Sequence, residues 1–181
     1  MIKRVLLFTL FVVTGCKTSN LPPNKAVEKL GANPYFEIDE QAVSQSDLGK
    51  YNPTDIALLS TYYDKDAIKR FGDKAKDGAV IIETKTFATN KYEAFFRSYS
   101  KEYEQMIKET DRTDIQYILN DNVLTENFEG NLALLNNKLL KELKVINQEM
   151  LLDKYKVQNK KIGVILKADR PKDLYNSKEK F

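Results

Sequence analysis

Apolar and polar positions alternate along this chain in short blocks, each bounded by a turn residue. Ile56 to Tyr63 is apolar, aromatic and β-branched, a strand pattern. Asp64 or Asp66 follows as a candidate helix cap, and Ala67, Ile68 and Phe71 form a compact apolar stripe that stops at Gly72. Asp73 to Asp77 is charged and expected to be exposed. Gly78 then opens Ala79-Val80-Ile81-Ile82, a run expected of a strand covered on both faces. Strand, helix and strand in so short a span predict a βαβ-type unit. Upstream, Pro34 to Ser44 reads as strand, turn at Asp39-Glu40-Gln41, and short strand, with Glu40 leaving the turn type open.

Thr89 to Thr110 carries the clearest helical period. Tyr92, Phe95, Phe96, Tyr99, Tyr103, Met106 and Ile107 lie on one stripe, while Glu93, Arg97 and most other charges fall opposite. This predicts one connecting amphipathic helix whose stripe packs on a sheet. A surface for stacking a sugar or a partner is the sharper alternative.

From Asp114 the first pattern returns in weaker form. Tyr117 to Thr125 lines up with Phe36 to Ser44, so Asn120 faces Asp39. Leu143 to Ile146 matches the strand at Leu59 to Tyr62. Met150, Leu151, Leu152 and Tyr155 match the short helix, and Gly163 to Leu166 the last strand, with a one-residue ambiguity in the gap. Lys156 stands where Gly72 would, so the second helix is expected to end differently. Leu58–Tyr63 should neighbour Gly78–Thr84, and Leu143–Ile146 should neighbour Gly163–Lys167. Whether these four strands make one sheet or two stays open.

The stretch from Asn52 to Lys85 resembles the plug domain of TonB-dependent outer-membrane receptors, in particular the starch-utilisation-like branch. Asp55-Ile56, Leu59, Asp64, Ala67, Phe71-Gly72, Gly78, Val80, Ile82 and Thr84-Lys85 carry the likeness; Leu58 and Ser60 to Tyr63 depart from it. The resemblance implies an α+β fold of two degenerate plug-like (β-β-β-α-β) repeats with a connecting amphipathic helix. A receptor barrel of about 22 strands, at roughly ten residues each, needs over two hundred residues. Fewer than a hundred follow Lys85. The expectation is therefore a plug-like module without its barrel.

The N-terminus changes the picture from fold to address. Lys3 and Arg4 precede the apolar run Val5 to Val13, and Val13-Thr14-Gly15-Cys16 resembles a lipoprotein lipobox. This run of nine residues, apolar except for Thr9, falls far short of the roughly twenty that span a bilayer, so it reads as a signal. Cys16, the chain's one cysteine, is the expected lipidation site, carrying palmitate-type acyl chains. The divisions are then a signal peptide at 1–15, a tether at 16–33, repeat 1 at 34–87, the connecting helix at 88–112, repeat 2 at 113–170 and a disordered tail at 171–181. Lys17 to Asn20 holds no acid, which points to the periplasmic face of the outer membrane.

Charge and chemistry narrow the classes further. The chain has 29 basic and 26 acidic residues, and removing Lys3 and Arg4 leaves a balance that asks for no nucleic acid. There is no histidine and, once Cys16 is acylated, no thiol, so Ser-His-Asp, Cys-His and His/Cys metal arrangements are excluded. Neither phosphate-binding glycine motif occurs. No catalytic residue, cofactor or metal is expected, and the chain reads as a non-catalytic binding or assembly module with an envelope protein or glycan partner. The alternatives are a carboxylate-dependent hydrolase, for which Glu37, Asp39 and Glu40 are the nearest cluster, and a structural spacer without a ligand.

Overall fold

The computed structural model describes residues 29–171. Cys16, the signal, most of the tether and the tail from 172 lie outside the described residues. The fold is mixed α+β, with two four-stranded sheets and several helices.

The first sheet holds β1 (Tyr35–Ile38), β2 (Gln41–Val43), β3 (Ile56–Tyr62) and β4 (Ala79–Thr84), in the order β2-β1-β4-β3. The second holds β5 (Ile115–Leu119), β6 (Asn122–Val123), β7 (Leu140–Asn147) and β8 (Ile162–Ala168), in the order β6-β5-β8-β7. Both sheets pair in the same senses: a hairpin, then a parallel pair, then an antiparallel pair. Register agrees as well. Leu59 faces Ile82 and Tyr62 faces Ala79, just as Leu143 faces Leu166 and Ile146 faces Gly163. Gly163 therefore occupies the place of Ala79, which settles the open gap. A bulge breaks the pairing at the same point in each copy, between Ile56 and Leu58 and between Leu140 and Glu142.

The strand pairs expected from the sequence are neighbours, and they divide between two sheets. The βαβ expectation needs correcting. β3 and β4 run antiparallel, because the parallel neighbour of β4 is β1. Strand-helix-strand spacing does not fix direction when an earlier strand already fills the parallel place.

Both hairpins turn on two residues with positive φ, Asp39-Glu40 (50° and 65°) and Asn120-Asp121 (49° and 65°). Left-handed pairs of this kind match the twist of the flanking strands, so Glu40 serves without being a glycine. The turn side chains then grip the end of the last strand. Asp39 accepts from the Thr84 amide at 2.7 Å and its hydroxyl at 2.8 Å. Asn120, an amide, trades one bond each way with the Ala168 backbone.

Helix α1 (Asp64–Phe71) starts after Tyr63, which makes no side-chain cap; Asp64 and Asp66 sit in its first turn instead of capping it. There their charge meets the positive end of the helix dipole. Ala67 is buried, while Ile68 is 41% exposed, so the expected stripe is narrower than three residues. Ala75 is buried too, inside the segment expected to be wholly exposed. Gly72 ends the helix at φ 74°, ψ −164°, a region that a Cβ effectively closes.

The equivalent helix lies further along the chain and ends in a different conformation, as expected with Lys156 in the place of Gly72. Lys156 takes the left-handed conformation itself, at φ 60° and ψ 26°, beyond Gln148–Tyr155. A lysine there carries a steric cost that glycine avoids. Lys156→Gly should stabilise the protein by about 0.5–1 kcal/mol, read as a raised denaturant midpoint at constant slope.

The expected single helix is two: α2 (Lys85–Tyr99) and α3 (Lys101–Glu109). Ser100 between them is extended, at φ −136° and ψ 120°, and its hydroxyl accepts from the Tyr103 amide at 3.2 Å. A serine hydroxyl competes well for a first-turn amide, and that cap restarts the helix in a new direction. The aromatic stripe packs on the second sheet nonetheless. Tyr92, Phe96, Tyr103, Met106 and Ile107 join Ile115, Tyr117, Leu119, Val164 and Leu166 in the largest core.

α4 (Glu129–Ala133) packs against α2 and reaches β3 of the first sheet. α5 (Gln148–Tyr155) covers the opposite face of the second sheet, with Leu151 against Ile118, Ile146 and Ile165. The first sheet has two smaller cores. Ile38, Val80 and Ile82 gather Leu30, Val43 and Leu48 on one face, and Ala67, Ala75 and Ala79 gather Tyr35, Tyr62 and Phe71 on the other. Among the described residues no helix is long and apolar enough to cross a membrane.

Candidate binding cleft

β6 pairs only with the end of β5, at Ile118 and Leu119, so the start of β5 is left uncovered on that side. A cleft of about 670 Å³ opens there. Its walls come from α2 (Thr89, Tyr92, Glu93), from the segment Val123 to Thr125 with Phe128 and Glu129, and from the loop Lys156 to Lys160. Ile115, Gln116 and Tyr117 of β5, with Arg112 before them, complete it. This volume lies within the range of small-molecule sites, and the lining mixes apolar floor with polar groups as such sites do.

The α2 wall is set by a chain of local contacts. Asp39 holds Thr84, and the Thr84 hydroxyl accepts from the Phe87 amide at 3.2 Å, capping α2. The first hairpin thereby fixes the start of the helix that carries Thr89, Tyr92 and Glu93 into the cleft.

Glu93 is the decisive side chain. It is 2% exposed, although the helical pattern put it on the polar face. Arg112 donates to it twice, from Nε at 2.6 Å and from an Nη at 2.8 Å, and Arg97 once, at 3.0 Å. A buried carboxylate survives only when paired and hydrogen-bonded, and the two-pronged guanidinium supplies both. The same contact, first by hydrogen bonding and then by charge, raises the pKa of Arg112 above its ordinary value. Arg97 at i+4 was a legible hint of this pairing; Arg112, brought by tertiary folding, was not.

Beside it stand three buried tyrosines. Tyr103 and Tyr117 share a hydroxyl hydrogen bond of 2.8 Å. Burial pushes the Tyr92 hydroxyl up to about 12, against smaller opposing effects of hydrogen bonds with Thr89 and Tyr117. Burial raises Tyr103 and Tyr117 as well. All three hydroxyls are neutral at physiological pH. Gln116, also buried, closes the floor by donating to the carbonyls of Tyr117 and Leu124. Glu129 turns Oε2 inward, sealed from solvent and without a hydrogen-bond partner.

The carboxylates singled out from the sequence lie elsewhere. Glu37 accepts from Tyr35, Asp39 is committed to Thr84, and neither they nor Glu40 lines the cleft. Among the described residues no group of three or more His, Cys, Asp or Glu is placed to hold a metal ion. The residues that do meet, Glu93 with Arg112 and Tyr92 with Tyr117, are far apart in sequence and belong to no short motif.

No family model matches this chain, and neither a curated protein nor a solved structure does.

Proposed function

We propose that this chain is an envelope lipoprotein, anchored through Cys16 to the periplasmic face of the outer membrane. Its two β-β-β-α-β units are read as plug-like repeats. Together they form a non-catalytic binding and assembly module accessory to outer-membrane transport. The lipobox-like Val13 to Cys16 supports the anchor, and the matching register of the two sheets supports the two-unit reading.

The observation that carries the binding role is the cleft itself. It is formed by pre-set elements, floored by apolar side chains and rimmed by donors. Its one deeply buried carboxylate, Glu93, is locked by two arginines, an arrangement that favours holding a ligand over transferring a proton.

Two measurements test this. Cys16→Ser should leave the domain folded and move it from the membrane to the soluble fraction; persistent attachment through the N-terminus removes the anchor. A photoreactive side chain in place of Asn159, on the cleft, should give a discrete crosslinked species in intact envelopes. The same group in place of Lys108, on the polar face of α3, should not. Equal yields at both positions, or none at Asn159, remove the binding role.

A further inference from the structure

Among the described residues some lysines are ion-paired and others are not, including Lys65, Lys69, Lys76 and Lys144 away from the cleft and two at its rim. Lys50, Lys91, Lys101, Lys108, Lys141, Lys154, Lys161 and Lys167 each form an ion pair with a carboxylate. Lys156 and Lys160, at the cleft rim, do not. Lys156 donates to the Asp153 carbonyl at 2.5 Å and Lys160 to the Thr113 carbonyl at 2.6 Å. Lys161, next in the chain to Lys160, turns away and pairs with Asp114 at 2.6 Å.

A shallower extension of about 260 Å³ meets the cleft at Thr89 and Arg112, and there Lys85 repeats the pattern by donating to the Asn127 amide oxygen. Three lysines thus line these two neighbouring depressions with neutral oxygens as their ammonium partners. On the acidic side, Glu93 is already compensated by Arg97 and Arg112. Glu129 also lines the cleft, with Oε2 sealed from solvent. Between the cations the floor is apolar, from Ile115, Leu124 and Val157.

Resting on the binding role proposed above, we propose that the ligand is an amphiphilic anion. Its carboxylate or phosphate is held by Lys156 and Lys160, and its apolar body lies over Ile115, Leu124 and Val157. Trading a neutral carbonyl for a full anionic partner strengthens each lysine's hydrogen bond, since charge-assisted bonds are roughly twice as strong as neutral ones. The partly enclosed cleft screens that attraction less than open water does. An anionic lipid headgroup and a free alkyl phosphate or fatty carboxylate share this chemistry.

The test uses the full lipidated chain in nanodiscs of neutral phosphatidylcholine, titrated calorimetrically with hexyl phosphate. One molecule should bind per chain, more weakly as salt rises. Hexyl glucoside and hexyltrimethylammonium, of equal chain length, should bind at least about tenfold more weakly. Joint Lys156→Glu and Lys160→Glu should lower hexyl phosphate affinity about tenfold or more. Lys76→Glu with Lys144→Glu, two exposed lysines away from the cleft, should leave it unchanged. If the anion comes from the membrane, discs of anionic phosphatidylglycerol will compete and weaken hexyl phosphate several-fold. If it is soluble, the disc lipid will make no difference, and either result fits the proposal. Equal binding of hexyl glucoside, or no effect of the rim reversal, overturns the anionic ligand while leaving a binding cleft. No binding of any probe overturns the ligand class, and the crosslinking result at Asn159 then decides separately whether the binding role stands.

Discussion

Phe96→Ala should cost about 3–5 kcal/mol of stability, the largest loss expected from a single side chain in this protein. Phe96 is fully buried at the point where α2 meets the second sheet. Its ring lies 5.5 Å from those of Tyr92 and Tyr103, 5.7 Å from Phe95 and 6.4 Å from Tyr117. These neighbours cannot collapse into the space it leaves, because Tyr103 and Tyr117 are tied by their hydroxyl bond and Tyr92 forms the cleft wall. The cavity term therefore adds to the lost transfer energy. Urea unfolding followed by circular dichroism reads the loss directly. Tyr99→Ala, on the same stripe but 38% exposed, should cost under about 1 kcal/mol. Similar costs at the two positions would mean that α2 does not pack on the second sheet as described.

Gly130→Ala should be the next most damaging, by about 1–3 kcal/mol or somewhat more, and its effect should be local. A Cβ at Gly130 would stand 2.2 Å from the Ala57 carbonyl oxygen and 3.0 Å from its carbon. Both atoms are backbone, within the bulge of β3, so no rotamer change relieves the clash. α4 would have to withdraw from β3, loosening the contact through which it reaches the first sheet. Amide hydrogen exchange should quicken across Ile56–Tyr62 and Glu129–Ala133 while β5 and β8 keep their protection. Gly49→Ala, where nothing lies within 4 Å, is the matched control and should be close to neutral. Unchanged exchange in β3 would show that α4 does not rely on this close approach.

Much of the strand content was legible, because a half-buried strand and its turn announce themselves within a few residues. The apolar blocks at Ile56, Ala79, Leu143 and Gly163 became strands, and Asn120 proved equivalent to Asp39. Errors arose where a side-chain bond, local or distant, overrode the apolar period. Ser100 fits a helical run by spacing, yet its hydroxyl cap ends one helix and begins another. Glu93 belongs to the polar face by period, yet Arg112 crosses nineteen positions of sequence to make its burial tolerable. α4 left no signal at all, since five residues carry too little periodicity to register. The cleft was illegible for the same reason: its walls come from five separate segments, and none carries a motif.

By itself the sequence determined the order of most strands and the near-repetition of one pattern. Each of these depends on residues close together in the chain, where alternation, turn chemistry and apolar run length act directly. Tertiary structure alone decided that the strands divide into two sheets, that β3 and β4 run antiparallel, and that Glu93 lies buried between arginines. It also decided that the ammonium groups of Lys156 and Lys160 point to neutral oxygens beside an apolar floor. Strand direction and charge compensation are settled by which surfaces meet across the fold, and no local pattern encodes that meeting.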